Sequence, residues 1–280
     1  MRFYSLRFFS LLMLWSTFAF SGATMAASKA AENEDKLVER ITERVKKELQ
    51  ESPWMQEQIQ KGIQAQMTKD REAQAKAQAE RFRQLQEKAK AVRPPDPSRD
   101  HVYGKPDAVI SLFEYSDFEC PYCKRFHGTP KRLVDSMGGK LNTVYRHFPL
   151  GFHNPNAELE ARASECANIL AGQEAFWKMT DGIYAKTASN GKGIAPDQLN
   201  QLAVDSGLEL DAFKECLASG KTAARVKEDI DEAVRIGVAG TPTVILRNNQ
   251  TGEIRLRSGG SPEEQFKSDI EQMGGVKAKP

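Results

Sequence analysis

Hydrophobic and polar positions alternate with two different periods along this chain, and the change of period divides it. Leu37, Val38, Ile41, Val45 and Leu49 recur at spacings of three and four, and after a break at Ser52-Pro53 the series Met55, Ile59, Ile63 and Met67 resumes the pattern. This is one face of a helix, interrupted where proline removes a donor. Ala73, Ala75, Ala77 and Ala79, then Phe82 and Leu85, predict a more polar helix that Arg93-Pro94-Pro95-Asp96-Pro97 ends as a stiff linker over 93–99. From Asp100 onward, strand and helix signals alternate. Val109 to Glu114 and Leu141 to Phe148 predict strands, with a helix starting at Cys120 between them. Helical patterns follow over 157–170, 174–185, 196–204 and 210–236. Thr243 to Leu246 and Glu253 to Leu256 predict a hairpin around Asn248 to Gly252, and Pro262 to Met273 a last helix. The expected fold class is α/β, a sheet domain over 100–280 with a helical insertion at 157–236, preceded by a helical arm.

Composition separates the two regions further. Residues 28–92 are rich in Glu, Lys, Gln and Ala, hold no cysteine, and have Trp54 and Phe82 as their aromatic residues, which is too little to form a core. A narrow apolar stripe without its own core is buried on a second copy of the chain or on the following domain. Self-association into a homo-oligomer is the expectation taken here; Gly62 and the lack of a strict heptad favour the alternative, a solvated and partly frayed stalk. Residues 1–27 have the pattern of a cleaved export signal. Arg2 and Arg7 precede an apolar run from Phe8 to Phe20, and small residues from Ser21 to Ala27 offer cleavage near Ala23, Ala26 or Ala27. The run of about 13 residues is short of the roughly 20 that span a bilayer, which argues against a membrane anchor. The formal net charge of +2, from 40 Lys+Arg against 38 Asp+Glu, gives no reason to invoke nucleic acid.

Candidate chemistry is concentrated at Cys120-Pro121-Tyr122-Cys123, a C-x-x-C at a strand-to-helix junction. The first turn of a helix carries unpaired N–H groups and the positive end of the macrodipole, both of which favour a thiolate. Cys120 is the expected nucleophile, Pro121 suits the first helical position, and Cys123, one turn in, is the more buried resolving thiol. Half of a zinc site and two inert core cysteines are the other readings of the motif. Cys166 and Cys216 stand alone and the four histidines show no H-x-x-x-H pairing, so no metal or other cofactor is expected. In an oxidising compartment the four cysteines divide into two pairs. A structural Cys166–Cys216 bridge would close a loop of about 50 residues and stabilise by roughly 3 to 4 kcal/mol; two separate buried thiols are the alternative.

The second marker is Gly237-Val238-Ala239-Gly240-Thr241-Pro242-Thr243-Val244, a proline immediately before a buried-looking strand. Proline belongs at a strand's first residue or in a turn. Alone it would be read as an ordinary trans proline. In the company of C-x-x-C, a cis Thr241-Pro242 bond is expected, leaving the Thr241 backbone free to pair with an extended substrate segment as an added strand.

Asp107-Ala108-Val109, Phe113 to Phe118, Cys120 to Cys123, Arg146 to Leu150, Phe176-Trp177 and Gly237 to Thr243 together resemble the DsbA-like thioredoxin family, in the family's order, over residues 98–275. The resemblance implies a thioredoxin fold with an inserted helical subdomain, Cys120 as attacking thiolate, Cys123 as its partner and Pro242 as the facing cis-proline, with Thr241, Pro121 and Tyr122 at the substrate. It also implies for Glu114 a buried acid that moves protons from the cysteines; a surface carboxylate at a strand edge is the other reading of that residue. Tyr122 and Thr241 resemble the isomerases and reductases DsbC and DsbG and the ScsC branch more than DsbA itself. These neighbours of the sulfurs shift the reduction potential. The chain is therefore expected to be a periplasmic disulfide oxidoreductase acting on unfolded or misoxidised exported proteins, with isomerase or reductase activity favoured, and with a membrane redox partner of unknown identity. A DsbA-type thiol oxidase and a non-enzymatic envelope scaffold or holdase are the alternatives.

Overall fold

The computed structural model describes residues 17–274, with side chains from residue 32 onward. Residues 1–16 of the expected export signal lie outside the described residues. Two compact units are separated between Ala77 and Gln78.

The first unit is helical. α1 (Thr17–Glu51) and α2 (Pro53–Ala89) break at the Ser52-Pro53 pair. Ser52 caps the second helix, its Oγ accepting from the Met55 N–H at 3.4 Å. The apolar stripe has no cover in this unit: Leu49 is 47% exposed, Ile59 54% and Trp54 64%.

The second unit takes in the end of α2. Ala89 and Val92 are buried against Phe113, Tyr115 and Val144, the Gln86 side chain donates to the Ile254 carbonyl at 3.4 Å, and the Arg93 N–H donates to Glu232 at 2.8 Å. The last turns of the expected arm and the start of the proline-rich linker are therefore fastened to the globular unit. Their apolar residues continue the helical period of the arm, so periodicity alone does not mark the change of partner.

Five strands form one sheet in the order β1-β3-β2-β4-β5. β1 (His101–Gly104), β4 (Thr243–Asn248) and β5 (Ile254–Ser258) are antiparallel to their neighbours, while β2 (Ile110–Ser116) and β3 (Leu141–His147) run parallel at the centre. β1 is missing from the sequence reading because its four residues carry no alternation and its buried member is a histidine. β2 is buried along its whole length, and its two faces meet different layers. Ile110 and Leu112 pack with Leu133, Phe266 and Ile270; Phe113 and Tyr115 pack on the opposite face with Ala233, Ile236 and the end of α2. By the same period of two, Glu114 and Ser116 share the face of Ile110 and Leu112.

α3 (Pro121–Phe126) and α4 (Gly128–Ser136) connect β2 to β3, and α9 (Glu263–Gln272) follows β5. The insertion consists of α5 (Asn156–Lys186), α6 (Pro196–Asp205), α7 (Leu210–Ser219) and α8 (Lys221–Arg235). α5 joins the two expected helices across a kink at Gly172. The single helix expected over 210–236 is instead two, broken at Gly220, whose φ of 69° belongs to the left-handed region that lets one helix end and the next begin. Cys166 on α5 and Cys216 on α7 form a disulfide with a Cα–Cα distance of 5.9 Å, inside the apolar cluster that also holds Phe176, Met179 and Phe213.

Candidate active site

Cys120 and Cys123 owe their placement to the end of β2. The chain leaves the strand at Ser116, and Asp117 turns it: one carboxylate oxygen accepts the Glu119 N–H at 2.8 Å, and the other accepts the Leu150 N–H at 2.9 Å and lies 2.7 Å from His153 Nδ1. Cys120 is the N-cap of α3, with extended backbone (φ −80°, ψ 119°), and Pro121 occupies the first turn. Proline costs nothing there because that N–H has no helical partner.

The two thiols are unbridged and in opposite electrostatic situations. The Cys120 thiol is pulled down from its ordinary value to about 5, chiefly because the Cys123 thiol donates to it, with further help from the Thr241 hydroxyl and the N–H groups of Cys123 and Tyr122. The Cys123 thiol is pushed well up, by burial first and then by its bond to Cys120. One sulfur is a thiolate at neutral pH and the other holds its proton. Cys120 is only 3% exposed, while Tyr122 two residues on is exposed, with the Arg125 guanidinium stacked 4.5 Å from its ring centre.

Against Cys120 lies Thr241-Pro242, whose peptide bond is cis. The Thr241 carbonyl lies 3.5 Å from Cys120 Sγ, and the Thr241 hydroxyl is buried with no other hydrogen-bond partner. Gly259 holds the proline from behind. Its N–H donates to the Pro242 carbonyl at 3.0 Å, and a Cβ at that position would lie 2.2 Å from the Pro242 ring, so no other residue fits. An apolar groove of about 420 Å³ continues from Thr241 and Pro242 between Phe82, Leu85, Val238 and Leu256.

Beneath the cysteines, Glu114 is 3% exposed on the central strand, not at a sheet edge. Burial pushes its carboxyl up to about 7, against the pull of Ser116 and Lys131. Ser116 Oγ donates to Glu114 at 2.7 Å and lies 2.8 Å from the Tyr184 hydroxyl, which is 2.9 Å from the Tyr145 hydroxyl. Immediately before Cys120 in sequence, Glu119 belongs to a pair of acids. Glu119 accepts from the Gly193 N–H at 2.9 Å and from the Thr187 hydroxyl, and its backbone carbonyl accepts from the Asn190 N–H at 2.7 Å, so it holds the loop after α5 against the active turn. Glu160 faces it, pushed up to about 9 by burial and by the Glu119 carboxylate.

All the residues expected at the site except the Cys166–Cys216 bridge therefore converge on one place, and the bridge lies in the insertion. Sequence reasoning missed Ser116, Tyr184, Glu119 and Glu160. Two of them flank the motif in sequence, and the others come from α5, about 40 to 65 residues downstream, which no local signal connects to it. The second cis bond, Asn154-Pro155, was likewise unmarked. Among the described residues, His101, His147 and Glu165 are the one group whose donor atoms approach one another closely enough for a metal. One Glu165 oxygen lies 2.8 and 3.0 Å from the two histidine Nε2 atoms, with the Arg225 guanidinium 3.9 Å away. A cation in that place would repel a metal ion, and the group reads as a buried hydrogen-bonded cluster.

Comparison with known proteins agrees with this geometry. Residues 97–259 match the family model described as thioredoxin. DsbA2 of Pseudomonas aeruginosa is 34% identical, with a TM-score of 0.55 over 62% of this chain and 94% of that one. BcfH of Salmonella enterica Typhimurium, at 19% identity, shares the fold over 90% of this chain and 100% of its own, with a TM-score of 0.62. Among curated proteins, the Na(+)/H(+) antiporter NhaA 1 of Mycolicibacterium gilvum is 36% identical over 163 residues, which are 58% of this chain and 25% of the antiporter. The chain thus spans about a quarter of the length of the curated relatives it matches. Among the described residues, no helix is long and apolar enough to cross a membrane.

Proposed function

The chain belongs to the DsbA-like thioredoxin family, and we propose that it is an exported thiol-disulfide oxidoreductase that exchanges disulfides with unfolded or misoxidised proteins of the periplasm. The observation that carries this reading is the asymmetry of the two sulfurs. A thiolate at Cys120 attacks a client disulfide, or is attacked as half of one, and Cys123 resolves the mixed disulfide. The client's extended backbone lies along the Thr241 carbonyl as an added strand, and the apolar groove beside Pro242 takes side chains flanking its cysteine. No cofactor is needed, because electrons pass between sulfurs.

Isomerase or reductase work is the favoured direction. Thr241 beside the sulfur supports it, and so does an arm whose apolar stripe would be buried on a second copy of the chain, making a homo-oligomer that presents several exchange sites to one client. A second reading has its own observation. A thiolate held as low as about 5 stabilises the reduced pair and makes the disulfide more oxidising, which favours a thiol oxidase reoxidised by a membrane partner. Refolding of a substrate with scrambled disulfides, together with the reduction potential of the Cys120–Cys123 pair, separates the two. Reshuffling without added oxidant supports the isomerase; strong oxidation with no reshuffling supports the oxidase; neither activity would refute both. For the arm, Ile41→Glu and Ile63→Glu are expected to lower the mass in solution while leaving thiol reactivity unchanged.

A further inference from the structure

Resolution requires Cys123 to lose a proton where no solvent reaches it: the residue is 0% exposed, and its thiol is pushed well above the ordinary value by burial. The acid that could take the proton, Glu114, is on β2, two residues before Ser116 and on the same face. One hydroxyl joins that acid to the surroundings of Cys123. Ser116 Oγ is 2.7 Å from Glu114 and 2.8 Å from the Tyr184 hydroxyl, Tyr184 packs in the same buried cluster as Cys123, and Ser116 is among the groups that draw the Cys123 thiol back down against its burial. We propose that Ser116 is the proton relay of the resolving step, passing the Cys123 proton to the Glu114 carboxylate; this rests on the exchange reading above.

The hydrogen-bond count of a hydroxyl fits the role. Serine offers one donor and two acceptor lone pairs. In the mixed disulfide Cys120 is no longer a thiolate and the Cys123 proton is free to turn to Ser116: with Glu114 ionised, Ser116 donates to it and accepts from the Cys123 thiol and from Tyr184, whose own hydroxyl is supplied by Tyr145 at 2.9 Å. When Ser116 gives its proton to Glu114 and takes the one from Cys123, the pattern reverses: protonated Glu114 donates to Ser116, which donates to the Cys123 thiolate and still accepts from Tyr184. Every polar atom of the hydroxyl is satisfied before and after, so the transfer leaves no buried group unpaired. The tyrosines hold Ser116 in the one orientation from which both bonds can be made.

In the covalent step the Cys123 thiolate attacks the Cys120 sulfur of a mixed disulfide. The Cys120–Cys123 bond forms, the bond from Cys120 to the client breaks, and the client sulfur leaves as a thiolate with the electron pair. Cys123 is oxidised, the client sulfur is reduced, and the proton rests on Glu114. The charged and titratable groups facing Glu114 are Lys131 on α4, Tyr145 on β3 and Tyr184 on α5, and both tyrosines also face Cys123 on α3. Glu114, with its value of about 7, is the group expected to set the pH dependence of the step.

The test follows both sulfurs in one trace. Reduced full-length protein is mixed with 5,5′-dithiobis(2-nitrobenzoate): Cys120 releases the first equivalent of thionitrobenzoate, and Cys123 releases the second by attacking the mixed disulfide so formed. In the unsubstituted protein the second phase is expected to quicken through pH 7. Ser116→Ala is expected to leave the first phase within about twofold, to slow the second by about tenfold or more, and to abolish its inflection. Ser116→Thr, which restores a hydroxyl, is expected to restore both. A second phase in Ser116→Ala with unchanged rate and inflection would overturn the relay. So would equal slowing of both phases in the Ala and Thr variants, which would mark a packing role. Absence of any fast first phase in the unsubstituted protein would overturn the exchange reading, and the relay with it.

Discussion

The two cysteine pairs show how differently one residue type behaves in two surroundings. Cys166 and Cys216 are 50 residues apart and bridged in the insertion, among Phe176, Met179 and Phe213. That cluster also reaches Cys120 and Cys123, but the bridged sulfurs do not titrate, and the pair acts as a staple between α5 and α7. Cys120 and Cys123 are equally out of solvent, yet they sit at the first turn of α3 among hydroxyls, N–H groups and a buried acid. Burial therefore does not decide whether a cysteine is inert. What decides is whether the surroundings offer hydrogen bonds to the charged form and a route for the proton.

Replacing the attacking sulfur tests the contrast most severely. Cys120→Ser is expected to abolish exchange, and Cys123→Ser to accumulate mixed disulfides with clients, visible on non-reducing gels; a Cys120→Ser protein that still exchanged disulfides would end the distinction between the pairs. The converse experiment removes the staple. The Cys166→Ala, Cys216→Ala double variant is expected to lose about 2–5 kcal/mol of stability in denaturant titration, with the rate of Cys120 alkylation unchanged.

Glu160 connects the two regions, since it lies on α5 with Cys166 and faces Glu119 beside Cys120. Its folded value of about 9 is above the ordinary 4.5. The stabilising proton is therefore fully present below about pH 4.5, and stability is lost progressively as pH rises from there through about 9. Glu160→Gln is expected to flatten that decline, gaining on the order of 2 kcal/mol at pH 8 relative to pH 5 in denaturant midpoints taken at each pH; an unaltered slope would show that the acid does not carry it. The smallest effect is expected from Thr241→Val. Loss of the hydroxyl beside Cys120 should raise the pH of half-maximal alkylation by about half a unit.

Much of this site is written locally. The C-x-x-C, the proline in the first turn and the Gly237 to Thr243 segment are each short runs whose backbone demands can be read directly. Expectations about β2, β3 and the β4–β5 hairpin came from period and turn residues in the same way. The rest depends on long-range closure. The exposure of Glu114 could not be read from its own strand, because a carboxylate in an alternating pattern fits an edge as well as a centre, and only the pairing of β2 with both β3 and β4 settles which it is. Tyr184, Glu160 and the loop over 187–193 reach the cysteines only after the insertion has folded back. β1 and the fastening of the end of α2 were hidden for a related reason, since each is short and is stabilised by its partners, not by its own sequence.

Exchange by this pair depends on ionisation of Cys120, and not of Cys123, at neutral pH. That difference is tested most directly by measuring iodoacetamide alkylation of the reduced protein between pH 3 and 10, with each cysteine assigned by peptide mass. The expected result is an inflection near pH 5 for Cys120 with Cys123 unmodified through neutrality; a shared inflection for both sulfurs near that of free cysteine, about 8.5, would contradict it.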